Sequence, residues 1–518
     1  MRVSSTVTVW MLGVLVLCGL TPSRAAQAQT VTPFQIVGHI QRLTLDSPAD
    51  PLSSAKLTVN GVEVLLPKNL VIQLPAAYFT AQQLFDKAQG VSKKYGESGL
   101  ALSDKFPPLA AFEADVSGNI VNGVYIAGLV TISQQSLNTG AGFIHHIDMT
   151  TGMMCVGGSP TAVACAGSDT RIRLNDPALD ASDPFAGDGR YGKPNPAPPA
   201  VGMDDPNSRY PDPRFTVDQG NPTVHALTGY PMCVPRAAND AQCPSQNRPA
   251  ELTFVMDAGD LVPPIKFRNN AIKACPSCDA NKQAPVRVGD YITFSGTRAR
   301  DPQVGDFLSV HTLVANVGIY TKPGGRAYVS LEESLLGTRG PVVDCGAAAE
   351  CQDRLKVEGF TTDPSRRVSV YAVDVVPGGV PKVRLLHSTE KDQAVFGRFR
   401  YVPPLTAAAL FDFNGNLKGA TRELMVRIDD PAPLPDGTDV PSVPNAAHGL
   451  IAGIYVAPVG EYIFPEPTGV QGGAQPALNF QCLAFLANGW ALPDSGLPNI
   501  PRLTPWPGAA TPTFSCTQ

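Results

Sequence analysis

VRVGDYITFSGTRARDPQVGDFLSVHTLVANVGIY, residues 286–320, decides the fold class. Its first run, Val286 to Phe294, alternates with period two and is rich in the β-branched and aromatic residues of half-buried strands. A second alternating run extends from Phe307 to Tyr320. The connection ARDPQVGD holds Asp301-Pro302 and Gly305-Asp306, both turn chemistry. Gly296 follows the first run, and a glycine inside a strand pattern predicts a bulge or sharp bend. The stretch predicts a β-hairpin bent at a glycine.

Related arrangements recur along the chain. FQIVGHIQRLTLD (34–46) precedes DPLSSAKLTVNGVEVLL (50–66), and VYIAGLVTI (124–132) precedes GFIHHIDM (142–149). A fourth is LKVEGFTTDPSRRVSVYAVDVV (355–376). Gly38, Gly128, Gly296 and Gly359 hold similar places in them, which implies an internally repeated glycine-bent hairpin. Asn60-Gly61 predicts a tight hairpin turn, 69–75 and 170–174 further strands, and 79–95 a helix capped by Thr80.

A strand set bent at an early glycine (Gly38), continued through 57–75 and interrupted by one helix, resembles an OB-like barrel. The resemblance spans about a quarter of the chain and implies a small barrel with a binding face. The expected fold is mostly β. It comprises two or three small Greek-key or OB-like barrels or sandwiches built on glycine-bent hairpins, with one short helix and long Asp/Pro-rich loops. The expected division is a signal peptide at 1–29, an OB-like β domain at 30–175 and an Asp/Pro-rich, disulfide-pinned insertion or linker at 176–250. Second and third β domains follow at 251–345 and 346–430, with a Pro/Gly-rich C-terminal segment at 431–518.

Composition agrees with short strands and many turns: 48 Gly and 50 Pro in 518 residues, with charged residues at only 16%. Residues 1–29 have the layout of a secretory signal: Arg2, an apolar run from Val9 to Leu20, and Ala26-Gln27-Ala28 as a small-x-small cleavage site. The expected location is periplasmic or extracellular, with no transmembrane segment in the mature chain. Cleavage would remove Arg2 and Arg24 and no acid, leaving 38 basic against 45 acidic residues and a charge near −7. That balance excludes a nucleic-acid partner. The ten remaining cysteines fall in local pairs: Cys155/Cys165, Cys233/Cys243, Cys275/Cys278, Cys345/Cys351 and Cys482/Cys516. An even count in an exported chain predicts disulfides, with local bridges as the simplest connectivity.

Chemistry concentrates at His145-His146-Ile147-Asp148. On a strand His146 and Asp148 share a side, and imidazole plus carboxylate suits zinc or another divalent ion given a third ligand from His225, His311 or His448. The competing reading is two strand histidines, one half-buried and one facing solvent. Calcium is a second cofactor expectation, as a structural ion, at Asp412-x-Asn414-x-Asn416 with Glu423, at Asp115-Val-Ser117-Gly118-Asn119, or among Asp176, Asp180, Asp183, Asp188, Asp204, Asp205, Asp212 and Asp218. Cys275-Pro-Ser-Cys278 has redox spacing but is followed by a loop sequence, so a structural bridge is expected. Gly187-Asp-Gly189-Arg-Tyr-Gly192 spells a dinucleotide fingerprint outside any strand–helix setting. Tyr191, Tyr210, Tyr230, Trp490 and Trp506 are candidates either for a binding face or for small cores covering a barrel end.

No nucleophile elbow, HExxH or Walker A sequence occurs. The leading expectation is an exported, non-catalytic binding, adhesion or structural protein with a carbohydrate or protein ligand. The alternative is an exported metal-dependent hydrolase using His146 and Asp148, and a third reading is a thiol–disulfide protein acting through Cys275/Cys278.

Overall fold

The structure, a computed structural model, describes residues 31–175, 212–337, 355–374, 382–388, 397–401, 423–429, 452–458 and 461–463, with short gaps inside the first two ranges. The signal-like segment 1–29 and most of the Asp/Pro-rich segment lie outside the described residues. So do two of the expected disulfide pairs, Cys345 with Cys351 and Cys482 with Cys516.

Strands β1 (Val31–Leu45), β2 (Ala55–Val59), β3 (Val62–Leu66), β4 (Val71–Gln73) and β5 (Tyr78–Thr80) precede helices α1 (Ala81–Asp86) and α2 (Gly90–Tyr95). Strands β6 (Glu113–Val121) and β7 (Val124–Ser133) complete the first sheet. The long β1 pairs with β6 through residues 31–39 and with β2 through 40–45. β3 then pairs in parallel with β7, closing β1-β2-β3-β7-β6 into a five-stranded barrel. Its two tightest hairpins turn at Asn60-Gly61 (φ 49° and 78°) and Asn122-Gly123 (φ 52° and 81°). Positive φ at both positions is what a two-residue turn matching strand twist requires. The predicted helix 79–95 is two short helices. Thr80 caps α1 in a capping box with Gln83, but Gly90 sits at φ 54°, outside helical space, and the chain restarts there.

The second sheet begins with β8 (Thr139–Asp148), β9 (Met153–Gly157) and β10 (Thr170–Leu174). A long excursion follows through β11 (Val224–Ala226), β12 (Met232–Cys233), β13 (Thr253–Met256), β14 (Lys266–Phe267), β15 (Asn270–Ala271), β16 (Lys273–Cys275) and β17 (Ala284–Pro285). It returns in β18 (Tyr291–Asp301), β19 (Gly305–Ala315) and β20 (Gly318–Thr321). Strands β8-β9-β10-β19-β18 form a second five-membered ring, again closed by a parallel pair, β10 with β19. Counted within each ring, the order is 1-2-3-5-4 and back to 1, the OB arrangement. Residues 139–174, adjacent in sequence to the first barrel, thus hydrogen-bond with 291–315.

The hairpin that opened the sequence reading forms with shifted limits. β18 starts at Tyr291 rather than Val286, because the Asp290 N–H donates to Arg287 O in a turn whose carboxylate receives a buried bidentate Arg248. The expected connection is mostly strand: pairing continues to Asp301↔Gly305. The far end splits, with 318–321 leaving β19 to pair with β13.

A third unit follows: β21 (Val329–Gly337), β22 (Leu355–Thr361), β23 (Arg367–Asp374), β24 (Lys382–Ser388), β25 (Arg398–Tyr401), β26 (Glu423–Asp429), β27 (Ile454–Pro458) and β28 (Glu461–Ile463). It is a sandwich of two four-stranded sheets, β25-β22-β21-β28 and β24-β23-β26-β27. Val357 and Phe399 of one sheet share a core with Val368, Val370 and Val426 of the other.

The glycine-bent repeat has a definite form. In β7 the extra residue of a bulge is Gly128, opposite Gly118; in β19 it is His311, opposite Gly296. A Cβ on Gly118 would lie 2.0 Å from Ile126 O, and one on Gly296 2.4 Å from Ser309 O, so no side chain fits at either place.

Part of the Asp/Pro-rich segment is an ordered strap. Asn175 Nδ2 donates to Asp212 O and Phe215 O, folding the chain back, and Phe215 enters the core of the first barrel, stacked 4.9 Å from Phe112. Arg214 is buried beside it, doubly bonded to Asp212 and donating to Leu84 O and Ser98 O. Those four bonds satisfy a charge that burial would otherwise make costly. Phe215→Ala should therefore lower unfolding stability by about 3–5 kcal/mol in urea titration, the usual range for a buried phenylalanine. A loss of less than about 1 kcal/mol, the range of surface substitutions, would refute its place in that core.

Candidate functional site

The His-His-Ile-Asp motif lies on β8, the first strand of the second ring. Pairing with β9 slips at this point: Ile144 faces Val156 and His146 faces Cys155, leaving His145 as an extra, bulged residue. Ile144 and Ile147 face the core, and His146 and Asp148 face outward. His146 and Asp148 do share a side, as two-residue spacing requires.

The bulge gives His145 a different task. Its Nδ1 lies 3.0 Å from Asp169 Oδ2, and its Nε2 accepts from the Ser159 N–H at 3.3 Å. Both side chains are 4% exposed. An Nε2 that accepts and an Nδ1 that donates define the neutral Nδ1-protonated tautomer. The Asp169 carboxyl is held below the usual carboxylate range by the Ala166 N–H and then by His145, against the cost of its burial. The dyad thus staples the β9–β10 loop, which the Cys155–Cys165 bridge also closes. The first barrel has a counterpart: Gln41, the bulged residue of β1, accepts from the Gly61 N–H in the β2–β3 turn.

Asp148 is occupied by its own turn. The Thr150 N–H donates to Oδ1 at 2.8 Å and Thr151 Oγ1 to Oδ2 at 2.6 Å, and the Thr151 bond is the main reason its pKa is lowered. The third ligands considered for a metal stand elsewhere. His225 bonds Ala226 O, His311 is buried in the β19 bulge beside Thr312, and His448 lies outside the described residues. Among the described residues no three His, Cys, Asp or Glu side chains gather with metal-binding geometry.

Instead, a pocket of about 290 Å³ opens on this face. His146 and Asp148 come from β8, Thr151 from the β8–β9 turn, Met153 and Cys155 from β9, and Arg171 from β10, with Cys165 at the rim. Register sets His146, Cys155 and Arg171 in one row across three strands. Three of these contributors, Arg171, Met153 and Thr151, were not among the sequence candidates. The alternation of TRIRL (170–174) marks Arg171 as outward-facing, but only the pairing with Cys155 brings it to His146. A wider hollow of about 450 Å³ over Thr139, Ala141, Thr293, Ser295 and Thr312 offers hydroxyls but no charged or imidazole group.

Other candidates resolve into structure. The Cys275–Cys278 bridge is buried in the second ring's core, beyond the reach of a partner thiol, and Cys233–Cys243 is also formed. With Cys155–Cys165 these are three of the five expected pairings; Cys345, Cys351, Cys482 and Cys516 lie outside the described residues, so their pairing stays an expectation of the sequence. Asp115 to Asn119 is a segment of strand β6, with Asp115 receiving Gln35 Nε2, and forms neither a turn nor a calcium loop. Asp212 and Asp218 bond Arg214 and Asn221 respectively. Tyr230 is fully buried, edge-on to Tyr328 and donating to Lys282 O. The 187–192 glycine motif, Tyr191, Tyr210, Trp490, Trp506 and the Asp412–Asn416 segment lie outside the described residues, as do Asp176, Asp180, Asp183, Asp188, Asp204 and Asp205. No protein-family model, curated protein or solved structure matches the chain, so its own geometry carries the functional argument.

Two outcomes test this geometry. His145→Ala leaves Asp169 with the Ala166 N–H alone and strips the Ser159 N–H of its acceptor, which should cost about 1–3 kcal/mol and speed protease cleavage within 158–169; an unchanged cleavage rate would show that the dyad does not hold the loop. Burial pushes the His311 imidazole down from 6.5 to about 4. As pH falls the unfolded chain therefore takes up this proton first. Stability from this site is complete above about pH 6.5 and lost between there and about pH 4. The full loss is about 3 kcal/mol. Denaturant midpoints measured across that window should fall, and His311→Gln should flatten the slope.

Proposed function

We propose that this chain is an exported, non-catalytic binding protein that takes a carbohydrate or protein ligand on the outer face of β8, β9 and β10. The observation that carries the reading is the position of the pocket. It lies over strands 1 to 3 of an OB-ordered ring, beside the turn between strands 1 and 2, the region where such barrels bind oligosaccharides and oligonucleotides. The acidic balance of the chain argues against a nucleic acid. Export is supported by the signal-like residues 1–29 and by the bridges Cys155–Cys165, Cys233–Cys243 and Cys275–Cys278. Among the described residues no helix is long and apolar enough to cross a membrane.

The hydrolase alternative draws less support, because both oxygens of Asp148 already close the Thr150–Thr151 turn. A metal there would have to compete with two hydrogen bonds that also orient the hairpin.

The mature protein, recovered from the exported fraction, can be screened against immobilised glycans and proteins with and without EDTA. The reading expects chelation-insensitive binding that Arg171→Ala with His146→Ala weakens at least tenfold. Binding that survives the double variant would move the site off this face. A chelator-sensitive hydrolytic activity lost in His146→Ala would replace the reading with the metal-dependent enzyme.

A further inference from the structure

The three bridges among the described residues differ in how far an outside thiol can reach them. We propose that Cys155–Cys165, at the rim of the pocket, is a site of thiol–disulfide exchange, opened by a dithiol reductant while the rest of the fold stays intact. The proposal goes beyond the binding reading and stands whatever ligand the face takes.

Access is the first argument. Exchange begins when a thiolate reaches a disulfide sulfur, so exposed bridges are the labile ones and buried bridges are inert. Cys275–Cys278 lies in the second ring's core, and Cys233 and Cys243 are both buried. Cys165 is exposed, within a run of exposed residues from 164 to 168. Together with Cys155 it lines the pocket of about 290 Å³, which gives a reagent room beside the bridge.

The two halves of the bridge are unequal, and this sets the direction of attack. Cys155 is 1% exposed and sits within β9, its backbone paired with His146 of β8 and with Arg171 of β10. An incoming thiolate therefore meets Cys165 first. It forms a new S–S bond to Cys165 Sγ as the Cys155–Cys165 bond breaks, and the electron pair leaves on Cys155. The reductant's second thiolate then displaces Cys165 and closes the reductant's own disulfide. The dithiol loses two electrons and two protons, which end on Cys155 and Cys165 as thiols.

A second clasp lets the fold survive the cut. The buried His145–Asp169 pair receives the Ser159 N–H on one arm of the β9–β10 loop and the Ala166 N–H on the other. Those bonds stay when the bridge opens, and Cys155 stays in its ladder. Reduction thus releases Cys165 at the rim and leaves the ring closed by β10 and β19. The redox state of one bridge sets the edge of the pocket, a local opening rather than a global one.

The test treats the mature exported chain with dithiothreitol, quenches with acid at intervals, alkylates and maps each cysteine by mass spectrometry. Cys155 and Cys165 should become alkylated at least tenfold faster than Cys233, Cys243, Cys275 and Cys278, with a cooperative thermal transition retained. With glutathione in place of the dithiol, the mixed disulfide should be recovered on Cys165 and Cys155 should be free. Hydrogen exchange of the amides from 158 to 168 should rise at least fivefold on reduction, while that of β8 and β9 stays unchanged. Opening of the three bridges at one rate, or of Cys155–Cys165 only as the protein unfolds, would overturn the proposal. Glutathione on Cys155 would overturn the direction of attack, and unchanged exchange from 158 to 168 would overturn the link between the bridge and the rim. None of these readouts involves a ligand, so failure of the binding reading would leave the result standing.

Discussion

A bulged residue opposite a glycine is the constraint on which both rings depend. Before the bulge at Gly128, β7 pairs with β3; after it, β7 pairs with β4 at Ile72↔Val130. β19 behaves alike, pairing with β10 up to Val310 and with β11 from Leu313, with the bulge at His311 between. A flat strand could not leave one neighbour for another without forfeiting hydrogen bonds. A bulge supplies the kink and extra twist, and the facing glycine removes the Cβ that would block the approach. β21 carries the same device in the third unit, where the bulge at Glu332 faces Gly359 and precedes parallel pairing with β28. Closure, and the sixth strand that each ring gains, follow from one local irregularity used repeatedly.

The likeness of the two rings extends to their first strands. Gly38-His39-Ile40-Gln41-Arg42 and Gly142-Phe143-Ile144-His145-His146 occupy corresponding places, with Ile40 and Ile144 in the cores and Gln41 and His145 bulged. Each bulged side chain reaches the connection between strands 2 and 3 of its own ring. In the first ring that connection is Asn60-Gly61; in the second it is a longer loop that requires a disulfide and a buried His–Asp pair. The pocket lies on the side of the ring where the loop grew. The strap through Arg214 and Phe215 then fastens the second ring's excursion to the first barrel, with Phe215 in the first barrel's core and Val217 in the second ring's.

Much of this was legible locally. Asn60-Gly61 announced its turn because few other dipeptides take two positive φ angles cheaply. Thr80 and Gln83 announced a helix start, though Gly90 shortened what followed. The Cys155–Cys165, Cys233–Cys243 and Cys275–Cys278 bridges were legible because each closes a short loop within one stretch of chain. The site was half legible. His146 and Asp148 were placed on one face by strand periodicity, yet the carboxylate proved committed to Thr150 and Thr151, and Arg171 went unnoticed.

By itself, then, the sequence determined the β class, the glycine-bent hairpins, the turns and the local disulfides, since each depends on the φ preferences, side-chain alternation or loop closure of residues near one another along the chain. Only the tertiary structure decided that 139–174 closes a ring with 291–315, that His145 rather than His146 is the buried histidine, and that Arg171 stands one strand from Cys155. The reason is register. A one-residue slip reverses which face a side chain takes, and the position of that slip is set by a partner strand distant in sequence.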